Sequence, residues 1–237
     1  MDSRARQLLE KLLHDGDKAD AGIRSRAAAL TQRNLADYRS ERSLQAKESF
    51  ETTMQAAQAQ GAINLIWDDP QEGNGFIKRV HLVDPRALAG FLGHTPLADT
   101  LADVTAQFTP CVERFPVLTD ILQRWTQLHK VRTLTPTSVQ DWLDAVKVID
   151  STRDVAADAI SVPIREASYR IFKDSKRIEK LVSTVDVLLC GSVEAAPREP
   201  AAVWNELGLF REEHPVLLAG NVIIARERVS AYLDTPY

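Results

Sequence analysis

Apolar residues recur every three to four positions along most of the chain, the spacing of helices buried on one side. Leu8, Leu9, Leu12 and Leu13 form the first stripe, and the charged run His14-Asp15-Gly16-Asp17 predicts its end in a loop. The segment Ala21 to Ser40 reads equally as strand or helix. A helix from Ser43 follows, with Phe50, Met54 and Ala57 on one face and Gly61 suited to its C-terminal cap. The period then changes. Ala62 to Trp67 reads as a strand, Asp68 to Gly75 as a loop rich in Pro, Gly and Asn, and Phe76 to Leu82 as a second strand. Asp84-Pro85 has the chemistry of a helix start, predicting a short helix over Arg86 to Leu92. Gly93, His94 and Pro96 break the pattern and place a domain boundary between 95 and 96.

Helical spacing returns from Leu97 to about Leu134, with Pro110 and Pro116 as interruptions. Thr135 to Ser138 leads into a helix with Val139, Trp142, Leu143, Val146 and Ile149 on one face. Pro163 bounds another, Ile164 to Phe172, and a further helix is predicted from about Ser175 to Leu189. After a loop over Gly191 to Pro200, Val203, Trp204 and Leu207 mark a short helix. Val216 to Ala219 and Val222 to Ala225 read as a hairpin around Gly220-Asn221.

The predicted fold class is therefore α+β and mostly helical, with short β-hairpins. Helix, strand, long loop, strand over Ser43 to Leu82 matches the tail of a winged-helix module, which sets a helix in a DNA groove and a hairpin on the backbone. A small α+β unit that contacts only protein fits the same local pattern.

Composition narrows the choice of function. At 44% hydrophobic and 26% charged the chain has a globular composition, and no apolar run approaches the roughly 20 residues of a membrane span. Its N-terminus is an amphipathic charged helix, unlike a signal peptide, so a cytoplasmic location is the expectation. Cys111 and Cys190 fit no metal or redox spacing. A net charge of −4 argues against a protein that coats nucleic acid over its whole surface. Local positive clusters remain. Ala21 to Phe50 has six basic residues against three acidic ones, and Ile164 to Lys180 has the same ratio.

Catalytic chemistry finds little support. The five histidines show no zinc spacing, and no phosphate-binding glycine loop or nucleophile elbow is present. Asp15 to Asp20 fails as a calcium loop, because the sixth and twelfth positions hold Asp20 and Arg26 instead of Gly and Glu. The adjacent carboxylates Asp68 and Asp69 read as solvated turn residues. Tyr169 beside Arg170 is the one nucleophile of interest near DNA, but it shares a helix face with Phe172 and reads as packing. No catalytic residue and no metal ligand is assigned.

The run Ser168-Tyr169-Arg170-Ile171-Phe172-Lys173-Asp174-Ser175-Lys176-Arg177-Ile178-Glu179 resembles the LSxRxFGDSKxLE segment of the JetD (MksG) proteins of Wadjet plasmid-defence systems. FETTMQAAQAQGAINLIWD with IKRVHLVDPRALAGFLG, and the later Trp204 to Leu209 and Val216 to Gly220, are similar to further parts of that family. Lys173 stands where the family usually has Gly, and Tyr169 where it usually has an aliphatic residue. The resemblance implies two winged-helix-like modules: an N-terminal arm domain over 1–95 and a CAP-like winged-helix domain over 96–220. It also implies a connection over 221–237 toward a Toprim domain beyond Tyr237. That Toprim domain would be the metal-dependent endonuclease, using Mg or Mn; this chain itself is expected to need no cofactor and to cut no DNA.

The implied partners are double-stranded plasmid DNA, an SMC-type motor complex of the same operon and a second copy in a homodimer, with no membrane. The residues implied to position DNA through phosphate contacts are Lys78 and Arg79 on the first hairpin, and Arg165, Arg170, Lys173, Lys176 and Arg177 in the second module. Asp174 is the expected cap of a helix near Ser175. Two other readings stay open: a module that docks on the motor and touches DNA little, and a transcription regulator built from two winged helices.

Overall fold

The computed structural model describes residues 1–23, 27–68, 75–157, 161–211, 222–225 and 230–233. Asp2 opens helix α1 (Ser3–Asp20), its carboxylate accepting the N–H groups of Arg4 and Ala5. The helix does not end at His14 as the charged run suggested. It continues to Asp20, because Ala5, Leu9, Leu12 and Gly16 form one buried face while the charged residues between them stay at the surface. Gly16 costs about 1 kcal/mol of helix propensity against Ala, but a Cβ there would lie 2.4 Å from Cδ2 of Leu82. Close packing of Leu82 explains a glycine inside a helix.

The ambiguous segment holds a short strand, β1 (Ala29–Leu30), and one helical turn, α2 (Ala36–Arg39). Helix α3 (Leu44–Ala59), capped by the Ser43 hydroxyl, leads through Gly61 to β2 (Ile63–Trp67), then β3 (Ile77–Leu82). The three strands form an antiparallel sheet in the order β1-β3-β2. Its inner face, with Leu30, Leu65, Ile77 and Val80, packs on Leu9, Leu12, Phe50 and Met54 of the helices. Helix α4 (Pro85–Leu92) starts at Asp84, which caps Arg86 and Ala87, and ends at Gly93 in the left-handed region at φ 75°.

Tyr38 fastens the hairpin to this core. Its ring stacks on Phe50 at 4.5 Å and meets Phe76 edge-on at 5.6 Å. Its hydroxyl donates to the Glu51 carboxylate and accepts the buried N–H of Ile77 at 3.1 Å. Burial and the Glu51 carboxylate push the phenol well above its ordinary pKa, so it stays protonated. Tyr38→Phe should therefore cost about 1–3 kcal/mol, since it strands a buried donor; urea unfolding of the two proteins measures it.

Helices α5 (Leu97–Val112) and α6 (Val117–Thr126) follow. Pro110 lies inside the last turn of α5 without ending it, and the break falls just before Pro116. A 3-10 turn over Pro136–Ser138 starts α7 (Val139–Ala157). Phe108, Trp125 and Trp142 form a buried aromatic row with centroid spacings of 6.1 and 6.2 Å. Beyond it come β4 (Val162–Pro163) and α8 (Ile164–Phe172). The helix expected from Ser175 begins later: turns and a 3-10 segment over Ile178–Leu181 precede α9 (Val182–Cys190).

Helix α10 (Pro200–Glu206) leads to β5 (Leu209–Phe210), which runs parallel beside β4. The expected strand Val216 to Ala219 lies outside the described residues. Val222 to Ala225 is a strand, β6 (Val222–Ala225), and it pairs antiparallel with β7 (Ser230–Leu233).

The architecture is thus α+β and mostly helical, with small sheets. The chain divides into two compact units, Met1–Lys147 with Ser183–Pro197, and Val148–Val182 with Arg198–Tyr237. The division expected at 95/96 falls within the first unit. Among the described residues no helix is long and apolar enough to cross a membrane.

Candidate nucleic-acid interface

The first unit brings Lys78 and Arg79 together with a residue that the sequence had not singled out for DNA. Strand pairing shifts register between Ile66 and Trp67: Ile66 faces Arg79 and Trp67 faces Ile77. Lys78 is thereby the extra residue of a β-bulge. Strict alternation would send Lys78 and Arg79 to opposite faces of the sheet. The bulge instead leaves both exposed, with Ile77 and Val80 on either side of them buried.

On the other edge, β1 pairs Leu30 with Val80, so the chain leaving β1 at Thr31 passes beside Arg79. The Asn34 carboxamide oxygen holds this turn, accepting the Thr31 N–H at 3.1 Å and the Thr31 hydroxyl at 3.2 Å. Thr31, Gln32, Arg33, Ile66, Lys78 and Arg79 line one groove of about 500 Å³. Three cations surround it, no carboxylate lines it, and none of the three makes an ion pair with a described residue. Ile66, 40% exposed, supplies an apolar floor.

Nearby cations have other work. Arg39 binds Asp68 at 2.6 Å and lies 5.4 Å from the centroid of the Phe76 ring. Lys47, the only basic residue of α3, lies 4.1 Å from the Phe76 ring centroid and 3.7 Å from Glu51. The exposed face of α3 presents Gln45, Glu48, Gln55 and Gln58, with no cation to meet a phosphate. The positive surface is at the hairpin and the turn after β1.

The second unit carries the other predicted set on α8 and the turn behind it. Ile164, Ala167 and Ser168 form the buried side of α8. Arg165 and Arg170 stand on its exposed side, and Lys173 and Lys176 are exposed in the turn. Arg165 lies 4.0 Å from Glu179, a surface ion pair worth at most about 1 kcal/mol. Arg177 is half buried and engaged within the protein, which sets it apart from the other four.

Tyr169 does not pack as its spacing from Phe172 suggested. It is 59% exposed, with the Lys173 ammonium 5.4 Å from its ring centroid. Residues at i and i+3 share a helix face that can point outward as readily as inward, and here the inward side is taken by Ile164 and Ala167.

Ser168, fully buried, organises the turn. Its hydroxyl donates to the carbonyl of Asp174 and accepts the N–H of Ile178 at 3.1 Å. Asp174 does not cap an α-helix; its carboxylate accepts the Lys176 N–H at 2.9 Å and closes a tight turn. A serine within the apolar side of a helix was the available signal for this role. Lys173 ends α8 at φ 59°, a left-handed conformation that favours glycine. Lys173→Gly should raise stability by about 0.5–1 kcal/mol, the relieved backbone cost exceeding the added chain entropy. A higher urea midpoint with an unchanged slope is the expected observation.

Among the described residues no three His, Cys, Asp or Glu side chains form a group that could hold a metal ion. Comparison with protein-family models, curated proteins and solved structures finds no match to this chain.

Proposed function

We propose that this chain is the DNA-positioning and dimerising region of a JetD-type nuclease, which cleaves closed circular plasmid DNA in an SMC-based defence system. The observation that carries the DNA reading is the groove where Arg33, Lys78 and Arg79 converge without a carboxylate. Such a site suits a phosphodiester: the cations neutralise the phosphate and Ile66 meets the apolar edge of the sugar. Contacts of this kind supply affinity and register with little sequence information, which is what a nuclease directed by a motor complex needs.

Two features support the finer reading. The order α1-β1-α2-α3-β2-β3 with sheet order β1-β3-β2 is compatible with a winged helix in which β2–β3 would be the wing. The groove then lies at the base of the wing, and the neutral to acidic α3 serves contacts other than phosphate. Lys173, the position where the JetD family usually has Gly, is the residue that adopts a positive φ at the end of α8. A backbone conformation that favours glycine at that place accounts for the family pattern at this position.

The deciding measurement is plasmid binding by mobility shift across a salt series, with closed circular and linear DNA of unrelated sequences. Binding that weakens steeply with salt and ignores sequence supports the proposal. Failure to bind at low salt would sink it, and a palindromic footprint would replace it with a transcription regulator.

A further inference from the structure

The first unit has a second and larger cleft, of about 1080 Å³, with the opposite electrostatic character. Its floor is apolar: Leu13, Pro96, Leu97, Val104, Trp125 and Leu128. Several polar groups near the floor are already satisfied within the protein. The Trp125 indole N–H donates to the Leu134 carbonyl at 3.1 Å, the Thr100 hydroxyl to the Pro96 carbonyl at 3.2 Å, and the Thr135 and Thr137 hydroxyls bond each other at 2.9 Å.

The rim is acidic. Asp17, Asp20, Asp84 and Asp103 border the cleft with Arg86, Lys130 and the histidines His14, His94 and His129, and Arg86 is held by Asp99 at 2.5 Å. Asp17, Asp20 and Asp103 have no ion pair with a described residue. Burial holds the Asp17 carboxyl above its ordinary range, with Asp20 adding to the effect and His14 opposing it. This is a carboxylate short of a counter-charge. The carboxylates of this rim disfavour a nucleic-acid backbone.

We propose that this cleft docks a basic amphipathic segment of a partner protein, its apolar side chains on the Leu97–Trp125–Leu128 floor and its Lys or Arg side chains against Asp17, Asp20 and Asp103. The volume is at the upper limit of small-molecule sites, about 1,000 Å³, and suits a row of side chains one helical turn apart, as in helix-in-groove recognition. Charge selects the occupant: an apolar floor under a negative rim favours a cationic helix over an acidic one or a nucleic acid.

The test uses the full chain and a fluorescent 16-residue peptide of Leu, Ala and Lys, with Leu on one helical face, at physiological salt. Anisotropy should report saturable binding. It should weaken at least tenfold for the Asp17→Asn/Asp103→Asn pair and for Leu97→Ala. Glu48→Gln, on the exposed face of α3, should leave it unchanged, and a peptide with Glu in place of Lys should not bind. Absence of binding by the Lys peptide, or binding that ignores the cleft variants, overturns the proposal. So does a fall in the chain's own association state on Leu97→Ala, which would make a second copy the occupant. None of these outcomes depends on plasmid binding, so this inference and the DNA reading can fail separately.

Discussion

Replacing Arg132 by Ala should lower the unfolding free energy by about 3–5 kcal/mol. The Arg132 guanidinium lies 3.1 Å from the Asp186 carboxylate, with the two side chains only 13% and 4% exposed. The pair ties the turn after α6 to α9 inside the first unit. Truncating the cation leaves a carboxylate away from water with its main counter-charge gone, and that uncompensated burial sets the size of the loss. The pair itself need not be strongly stabilising, since its desolvation offsets much of its attraction. The double variant Arg132→Met/Asp186→Leu should accordingly recover most of what Arg132→Ala loses. Arg132 also sits at φ 58°, so Arg132→Gly should cost about 1 kcal/mol less than Arg132→Ala through relief of the backbone. Urea unfolding followed by fluorescence of Trp125 and Trp142 reads all three. A loss below about 1 kcal/mol for Arg132→Ala would show that water reaches Asp186 freely.

Features written in neighbouring residues were legible before the fold was known. The stripe Phe50, Met54, Ala57 marks the buried side of α3, the shift to an apolar run marks β2, and Asp84-Pro85 with Gly93 brackets α4, because caps and periodicity are local chemistry. What escaped depends on distant partners. His14 to Asp17 looks like a stop, yet the helix continues because its buried face runs on through Gly16, where Leu82, far along the chain, takes the space of a side chain. Lys78 and Arg79 were visible as basic hairpin residues, but the bulge that turns both outward is a matter of register with Ile66 and Trp67. Arg33 was one cation in a diffuse cluster until the pairing of β1 with β3 set it beside them. The same limit applies to Tyr169, where spacing identified a helix face and could not say which way it points.

The Arg33→Ala/Lys78→Ala/Arg79→Ala variant should bind plasmid about 10- to 100-fold more weakly at low salt. Its plot of log affinity against log salt should also be shallower by about 2 to 3. All three side chains are exposed and make no ion pair with a described residue, so the fold should be unaffected and the change is a binding effect. The slope is the sharper readout, because each phosphate contact releases about one counter-ion whatever its geometry. The matching variant of the second unit, Arg165→Ala/Arg170→Ala/Lys176→Ala, should lose less. Its cations share their surface with Glu166, Asp174 and Glu179, and Arg165 is already near Glu179. The groove at the base of the β2–β3 hairpin has no such offset. A larger loss from the α8 set would move the principal DNA contact to the second unit. Unchanged affinity and slope in the groove variant would remove Arg33, Lys78 and Arg79 from the interface altogether.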